Sequence, residues 1–178
     1  MKERQKLKFE WKKYDGTPID NPSQYVRNWV KVWPYGEIMI GCDSQAHPRH
    51  IKYSISINMH MIDEYEIGHG GHVIFANVID YNKSVKDDLY TKLWAEAELS
   101  VQAAQEIEAE TLEAWRIVIH LDYNSKVEAY SNILYTTGLG YVRGMFNGNV
   151  EVFGKPDAWA ASSTSDMLCK NKQAKGIK

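Results

Sequence analysis

Cysteine is scarce in this sequence: Cys42 and Cys169 are the two in a chain of 178 residues. They make no CxxC pair and no disulfide framework, which excludes a cystine-stapled secreted scaffold and fits a reducing cytoplasm. Long apolar runs are missing as well. Stretches such as Ile38-Met39-Ile40 and Ile117-Val118-Ile119 fall far short of the roughly 20 residues of a membrane span. The opening Met1-Lys2-Glu3-Arg4-Gln5-Lys6 holds no apolar stretch, so no secretory leader is expected. Neither a Walker A motif nor a GxGxxG motif occurs, so nucleoside-triphosphate and dinucleotide readings lack support, and no nucleotide cofactor and no membrane partner are expected. Repeats, low-complexity tracts and Ser/Gly linkers are absent too. What is there is the balance of an ordinary globular domain, with 44% apolar and 25% charged residues. A chain of this length can bury roughly 70% of its unfolded surface in one core.

The net charge of −2 conceals an uneven distribution. Residues 1–13 carry six basic and two acidic side chains, and residues 170–178 carry four basic and none acidic, which leaves −10 for the middle. Basic ends on an acidic body suit a polyanion gripped at its edges and divalent cations held at the centre. They equally suit solvated tails whose lysines aid solubility.

Residues 1–36 read as a lead-in with a short helix. Asp20-Asn21-Pro22-Ser23 is a turn-and-cap signal, and Tyr25, Val26, Trp29 and Val30 recur at helical spacing before Pro34-Tyr35-Gly36 breaks the chain. Residues 37–43 form a buried strand in this reading. Residues 52–61 alternate, with Tyr53, Ile55, Ile57, Met59 and Met61 on one face and Ser54, Ser56, Asn58 and His60 on the other. Gly68-His69-Gly70-Gly71 is expected as a turn and residues 72–81 as a third strand of an antiparallel meander. His69 and His72 fit hairpin chemistry better than zinc, which takes three or four protein ligands. Ser84-Val85-Lys86-Asp87 has capping-box spacing and opens a long helix to about residue 113. A fourth strand over 116–122 follows, then a helix over 126–135 ending at Thr136-Thr137-Gly138. A loop at 144–149, a short strand over 150–153 and a last helix over about 160–172 complete the pattern. The order β-β-β-α-β-α-β-α predicts a mixed α/β domain, a five-stranded sheet with helices packed on its faces, spanning 37–172 before a basic tail at 173–178.

Two of these strands close on a carboxylate: Gly41-Cys42-Asp43 and His120-Leu121-Asp122. Period two puts Met39, Gly41 and Asp43 on one face of the first, and Val118, His120 and Asp122 on one face of the other. Cys42 then points away from Asp43 and reads as a small core residue. If the strands are adjacent and parallel, the carboxylates lie side by side at the edge where ligands bind in such sheets. Either Asp alone is also compatible with capping a turn. On the long helix, about 100° per residue places Glu96 on the apolar stripe with Leu89, Leu93, Ser100, Ala104 and Ile107, while Glu98 falls on the solvent side. Glu98, Glu106 and Glu110 read as solvated charges. A carboxylate on a buried face is costly unless paired, protonated or metal-bound. Asp157 and Asp166 are candidates for a fourth carboxylate, although Ser163-x-x-Asp166 also fits a helix cap. Asp166 is preferred, because a helix beginning near Ser162 brings it to the sheet edge. His120 could position substrate or serve as a satisfied core histidine. Hard oxygen ligands from two strands and two helices are what Mg²⁺ or Mn²⁺ needs. Two such ions about 4 Å apart activate a water and stabilise the leaving oxygen of a phosphodiester. Trp159 is the best candidate for stacking on a single strand.

Three stretches carry a family resemblance: Ile40-Gly41-Cys42-Asp43-Ser44-Gln45, Ile119-His120-Leu121-Asp122, and the run from Lys155-Pro156-Asp157-Ala158-Trp159 to Ser163-Thr164-Ser165-Asp166. Glu96, four residues before Ser100, fits as well. The sequence resembles the YkuK family of ribonuclease H-like proteins over about residues 37–172. It departs from that pattern at Cys42, where the family usually has Thr, and at Tyr123-Asn124-Ser125, where the family has a glycine-containing stretch. The resemblance implies the ribonuclease H-like fold with sheet order 3-2-1-4-5. It also implies a nuclease that hydrolyses nucleic acid with two Mg²⁺ or Mn²⁺ ions and leaves a 3′-hydroxyl and a 5′-phosphate. Asp43, Glu96, Asp122 and Asp166 would be the metal-holding catalytic set, with Ser44, Gln45, His120, Lys155, Asp157 and Ser163 as substrate-binding candidates. The alternatives are a non-catalytic module of the same fold that binds nucleic acid or a protein, and a metal-dependent phosphoesterase acting on a small substrate.

Overall fold

The alternation along residues 52–61 sets the centre of the sheet, and the computed structural model shows how the rest assembles on it. It describes residues 8–81, 88–108, 117–126 and 132–170. In chain order the elements are β1 (Trp11–Lys13), β2 (Pro18–Ile19), α1 (Pro22–Val32), β3 (Glu37–Ala46), β4 (Ile51–Ile62) and β5 (Gly68–Asp80). Then come α2 (Leu89–Glu108), β6 (Ile117–Asn124), α3 (Asn132–Met145) and β7 (Glu151–Lys155). A π-helical segment (Ala160–Ser165) runs directly into a short α4 (Asp166–Lys170). Among the described residues the strands form one mixed sheet of seven, in the order β2-β1-β5-β4-β3-β6-β7. The pairs β3–β4 and β4–β5 are antiparallel, as a meander requires. The pairs β3–β6 and β6–β7 are parallel, each reached through helical connections. Among the described residues no helix is long and apolar enough to cross a membrane.

Seven strands replace the expected five because residues 11–19 add two strands to the sheet. β1 pairs with β5 at Lys12–Phe75 and Lys13–Ile74. Phe9 and Trp11 are buried in the main core, and the Trp11 indole N–H donates to Glu106 Oε2 at 3.2 Å. Strands of two or three residues carry no period, so the alternation test has nothing to detect. Helix α1 begins as expected: Asn21 caps it by accepting the Gln24 N–H at 2.9 Å, with Pro22 in its first turn.

Three local expectations are corrected. The β4–β5 turn lies at residues 63–67, where Asp63 Oδ1 accepts the N–H groups of Tyr65 and Ile67 and Glu66 adopts a left-handed φ of 61°. Gly68 to Gly71 are therefore strand. His69 and His72 take different partners, Asp63 at 2.7 Å and the Tyr25 hydroxyl at 2.7 Å. The second expected helix continues through Gly138 and Gly140 to Met145. Gly138 is there for packing: a Cβ at that position would collide with the Tyr123 ring. Finally, β3 continues to Ala46 and β6 to Asn124, so neither Asp43 nor Asp122 ends its strand. The expected capping box at 84–87, Glu110, residues 127–131 and the basic ends at 1–7 and 171–178 lie outside the described residues.

The sheet is covered on both faces. Ile38, Ile40 and Cys42 of β3, Ile117, Ile119, Leu121 and Tyr123 of β6, and Ile51 to Met59 at alternate positions of β4 belong to the main core with α1, α2 and α3. On the other face Met39 and Val118 pack with Ala160 of the π segment. The polar face of β4 lies beneath the same C-terminal segment. Ser54, Ser56 and Asn58 are buried, and the hydroxyls of Ser56 and Ser165 stand 2.8 Å apart. The Lys52 ammonium donates to the carbonyls of Leu168 at 2.7 Å and Cys169 at 3.3 Å, satisfying two acceptors at the end of α4. Close approach depends on Gly41, where a Cβ would stand 2.5 Å from the Ala161 nitrogen and 2.6 Å from the Ala160 carbonyl carbon. These are backbone atoms that cannot turn aside. Gly41→Ala is expected to cost about 1–3 kcal/mol by overpacking, read as a lowered thermal midpoint of roughly 2–4 °C per kcal/mol. An unchanged midpoint would mean that the segment does not rest on β3.

Candidate functional site

The parallel pairing of β3 with β6 runs from Ile38–Ile117 to Gly41–His120 and then stops. Asp43 and Asp122 each lie two residues beyond the last pair, on the same face as Gly41 and His120. The two strands thus deliver their carboxylates together where they part. Asp166 joins from the opposite layer as the first residue of α4, and it shares a side-chain hydrogen bond with Asp43. Glu96 comes from α2. It is 3% exposed, and its charge acts on Asp43 and Asp122. The structure therefore sets Asp122 and Asp166 within electrostatic reach of Asp43, and Asp43 and Asp122 within reach of Glu96.

Electrostatics at this junction is unfavourable to the bare anions. Burial, together with the like charges of Asp122 and Asp166, pushes the Asp43 pKa up to about 6, against the lowering effect of the Ser44 N–H. Glu96 is raised well above its ordinary value, mainly by burial and also by Asp43 and Asp122. The Ser44 hydroxyl opposes this by donating to Oε1 at 2.5 Å. Its other oxygen, Oε2, is buried without a hydrogen-bond partner. Three lysines offset part of the negative charge: Lys92 through its charge on Glu96, and two others by direct contact. Lys155 Nζ is 2.6 Å from Asp122 Oδ1, and Lys170 Nζ is 2.7 Å from both oxygens of Asp166. Among the described residues no group of three or more His, Cys, Asp or Glu side chains is set out as a ready metal cage.

The other candidates fall around this junction unevenly. Ser44 touches Glu96 directly. Gln45 is half-buried one residue further along β3, opposite Lys52. Asp157 and Ser163 are exposed. The Asp157 charge acts on His120, whereas Asp166 acts on Asp43. His120 is a buried packing residue. Its Nδ1 accepts the Ala160 N–H at 3.1 Å, and the rings of Phe153 and Trp159 lie edge-on to it at 6.1 and 5.9 Å. Burial pushes its pKa down to about 4, so the ring is neutral at neutral pH and holds the start of the π segment against β6. Trp159 keeps 43% of its surface exposed beside it. Sequence reasoning missed Lys170 and Cys169. Lys170 stands four residues after Asp166, the spacing of a helical ion pair, yet its charge was assigned to the basic tail. The Cys169 thiol donates to the Asp43 carbonyl at 3.1 Å and tethers α4 to β3, a contact no spacing rule announces.

Comparison with known proteins gives one match. A family model described as ribonuclease H-like, that of the YkuK family, covers residues 27–170. Searches of curated proteins and of solved structures gave no match.

Charge crowding at Asp43 makes a direct prediction. In EDTA at neutral pH, Asp43→Asn removes one of the clustered negative charges while keeping a partner for Asp166. The variant is expected to gain about 1 kcal/mol in stability, seen as a thermal midpoint roughly 2–4 °C higher. A lower midpoint would show that the Asp43 carboxylate is held by favourable contacts instead.

Proposed function

Because the chain belongs to the ribonuclease H-like family, we propose that it is a divalent-metal-dependent nuclease hydrolysing phosphodiester bonds of nucleic acid. The observation that carries this reading is the convergence of Asp43, Glu96, Asp122 and Asp166 at the parting of β3 and β6. The donor set fits Mg²⁺ or Mn²⁺. It is all carboxylate oxygen, two of these oxygens (Glu96 Oε2 and Asp122 Oδ1) are buried without a hydrogen-bond partner, and two of the carboxylates already pair with ammonium groups. Held by these four residues, two such ions would supply an activated water and stabilisation of the leaving oxygen.

The chain's own groups have definable parts. Ser44 fixes Oε1 of Glu96, which leaves Oε2 as the oxygen offered to a cation. His120, neutral and occupied by the Ala160 N–H, orients the segment that carries Asp166 and transfers no proton. Lys155, at the end of β7, and the exposed Trp159 face the approach to Asp122 and His120, where a phosphate and a base would lie. The products expected are a 3′-hydroxyl and a 5′-phosphate.

The test is incubation of the full chain with labelled single- and double-stranded DNA, RNA and hybrid, with Mn²⁺ and with EDTA. Cleavage is expected with Mn²⁺ alone. Asp122→Asn and Asp166→Asn should lose nearly all of it, while Asp157→Asn, altering a group outside the cluster, should fall by about 10–100-fold at most. If no substrate is cut at micromolar protein, the non-catalytic binding module takes the place of the enzyme. If Asp166→Asn stays active and Asp157→Asn does not, the fourth carboxylate is Asp157.

A further inference from the structure

Two lysines end their side chains on the carboxylates. Lys155 is the last residue of β7, and its ammonium reaches across to Asp122 Oδ1, an oxygen shut off from solvent. Lys170 is the last residue of α4, and its ammonium straddles both oxygens of Asp166 one helical turn earlier. One contact runs between neighbouring strands and the other runs within a helix, yet both end on the same cluster. The side chains are 38% and 66% exposed, so each can swing out into water on its flexible four-carbon stem. Lys52, by contrast, spends its ammonium on the backbone carbonyls of Leu168 and Cys169 and touches none of the carboxylates.

The geometry points to Lys155 and Lys170 as internal counter-cations of this site, displaced when divalent cations bind and then turned onto the phosphates of the bound strand. This rests on the nuclease reading and names what regulates its site. Four carboxylates in one partly buried place repel one another, and ammonium groups on two of them offset that repulsion without any ion from solution. A divalent cation on the same oxygens brings twice the charge per group, and an oxygen already paired with an ammonium at 2.6 Å must lose it first. Each lysine therefore weakens metal binding by the worth of its own ion pair. Once released, the ammonium stands at the rim of the site, where an incoming phosphate is the fitting anion for a mobile point charge. Metal and nucleic acid then favour each other's binding: the metal frees the lysines, and the phosphates hold them away.

The test uses calorimetric titration of Mn²⁺ into the full-length chain without substrate, at fixed pH and salt, comparing wild type with Lys155→Met, Lys170→Met and the double variant. Each single variant is expected to bind Mn²⁺ about three- to tenfold more tightly, and the double variant more tightly still. Lys155→Arg and Lys170→Arg, which keep the positive charge, should stay close to wild type; this separates counter-charge from packing. In the presence of Ca²⁺, oligonucleotide affinity of the Met variants should fall, with a salt slope reduced by roughly 0.7–0.9 per lysine. Melting in EDTA, supported by circular dichroism, checks that the variants fold, and Lys170, at the surface, provides the arm least exposed to misfolding. Unchanged or weaker Mn²⁺ affinity in the Lys170 variant would overturn the proposal. If wild type binds Mn²⁺ and cuts nothing while the variants still bind it more tightly, the nuclease reading falls and the counter-cations stand. If wild type binds no Mn²⁺ at millimolar concentration, both fall.

Discussion

Like-charge repulsion among Asp43, Glu96, Asp122 and Asp166 sets the conditions that their surroundings meet. Desolvation adds to it, since Glu96 is 3% exposed and a buried carboxylate loses its hydration. Each neighbour of the cluster reduces that penalty in a different way. The Ser44 N–H and hydroxyl stabilise the anionic forms of Asp43 and Glu96, respectively. Asp166 stands close enough to Asp43 to add to the rise in its pKa. Lys155 and Lys170 bring positive charge to the remaining pair. Assembling such a cluster is unfavourable for the stability of the chain alone, which is why its presence speaks for a ligand that reverses the balance.

The architecture delivers the carboxylates by different kinds of packing. Parallel pairing of β3 and β6 fixes the spacing of Asp43 and Asp122 through hydrogen bonds that are indifferent to side chains. Glu96 is held by the main core, because α2 packs Leu93, Ala97, Ala104 and Ile107 against the sheet. Asp166 depends on a smaller and more polar interface, where Gly41 admits Ala160 and Ala161, His120 accepts the Ala160 N–H, and Ser56, Lys52 and Cys169 fasten the rest. The π-helical turn widens the backbone just before Asp166, a distortion frequently found at functional positions.

Much of this was legible from spacing alone. Period two gave the shared face of Asp43 and Asp122, and 100° per residue put Glu96 inside, because both rules follow from backbone geometry that tertiary contacts leave intact. The preference for Asp166 over Asp157 came from a helix start near Ser162, and the structure sets Asp166 beside Asp43. What stayed hidden was tertiary. Alternation put Ser54, Ser56 and Asn58 on one face of β4 without saying what lies on it, and a segment more than a hundred residues away covers them, with the Ser165 hydroxyl beside that of Ser56. Gly138 carries the signature of a helix end, yet it continues α3 because the Tyr123 ring needs its missing Cβ. Lys170 could be seen as charge, but its target required knowing that Asp166 and Lys170 share one helix.

The fastening of the C-terminal segment has a consequence for how the molecule breathes. Its polar ties join residues far apart in the chain: 109 positions for Ser56 with Ser165, 116 for Lys52 with Leu168, and 126 for Asp43 with Cys169. A unit fastened by polar ties over a smaller apolar contact can detach while the hydrophobic layer beneath α1, α2 and α3 stays closed. Detachment removes Asp166 from Asp43, so electrostatics favours opening while the segment's own contacts favour closure. Any ion that neutralises the cluster tips this contest toward closure. The concentration of such an ion in the surroundings would then govern how often the seryl face of β4 is laid open to proteases and to exchange with solvent.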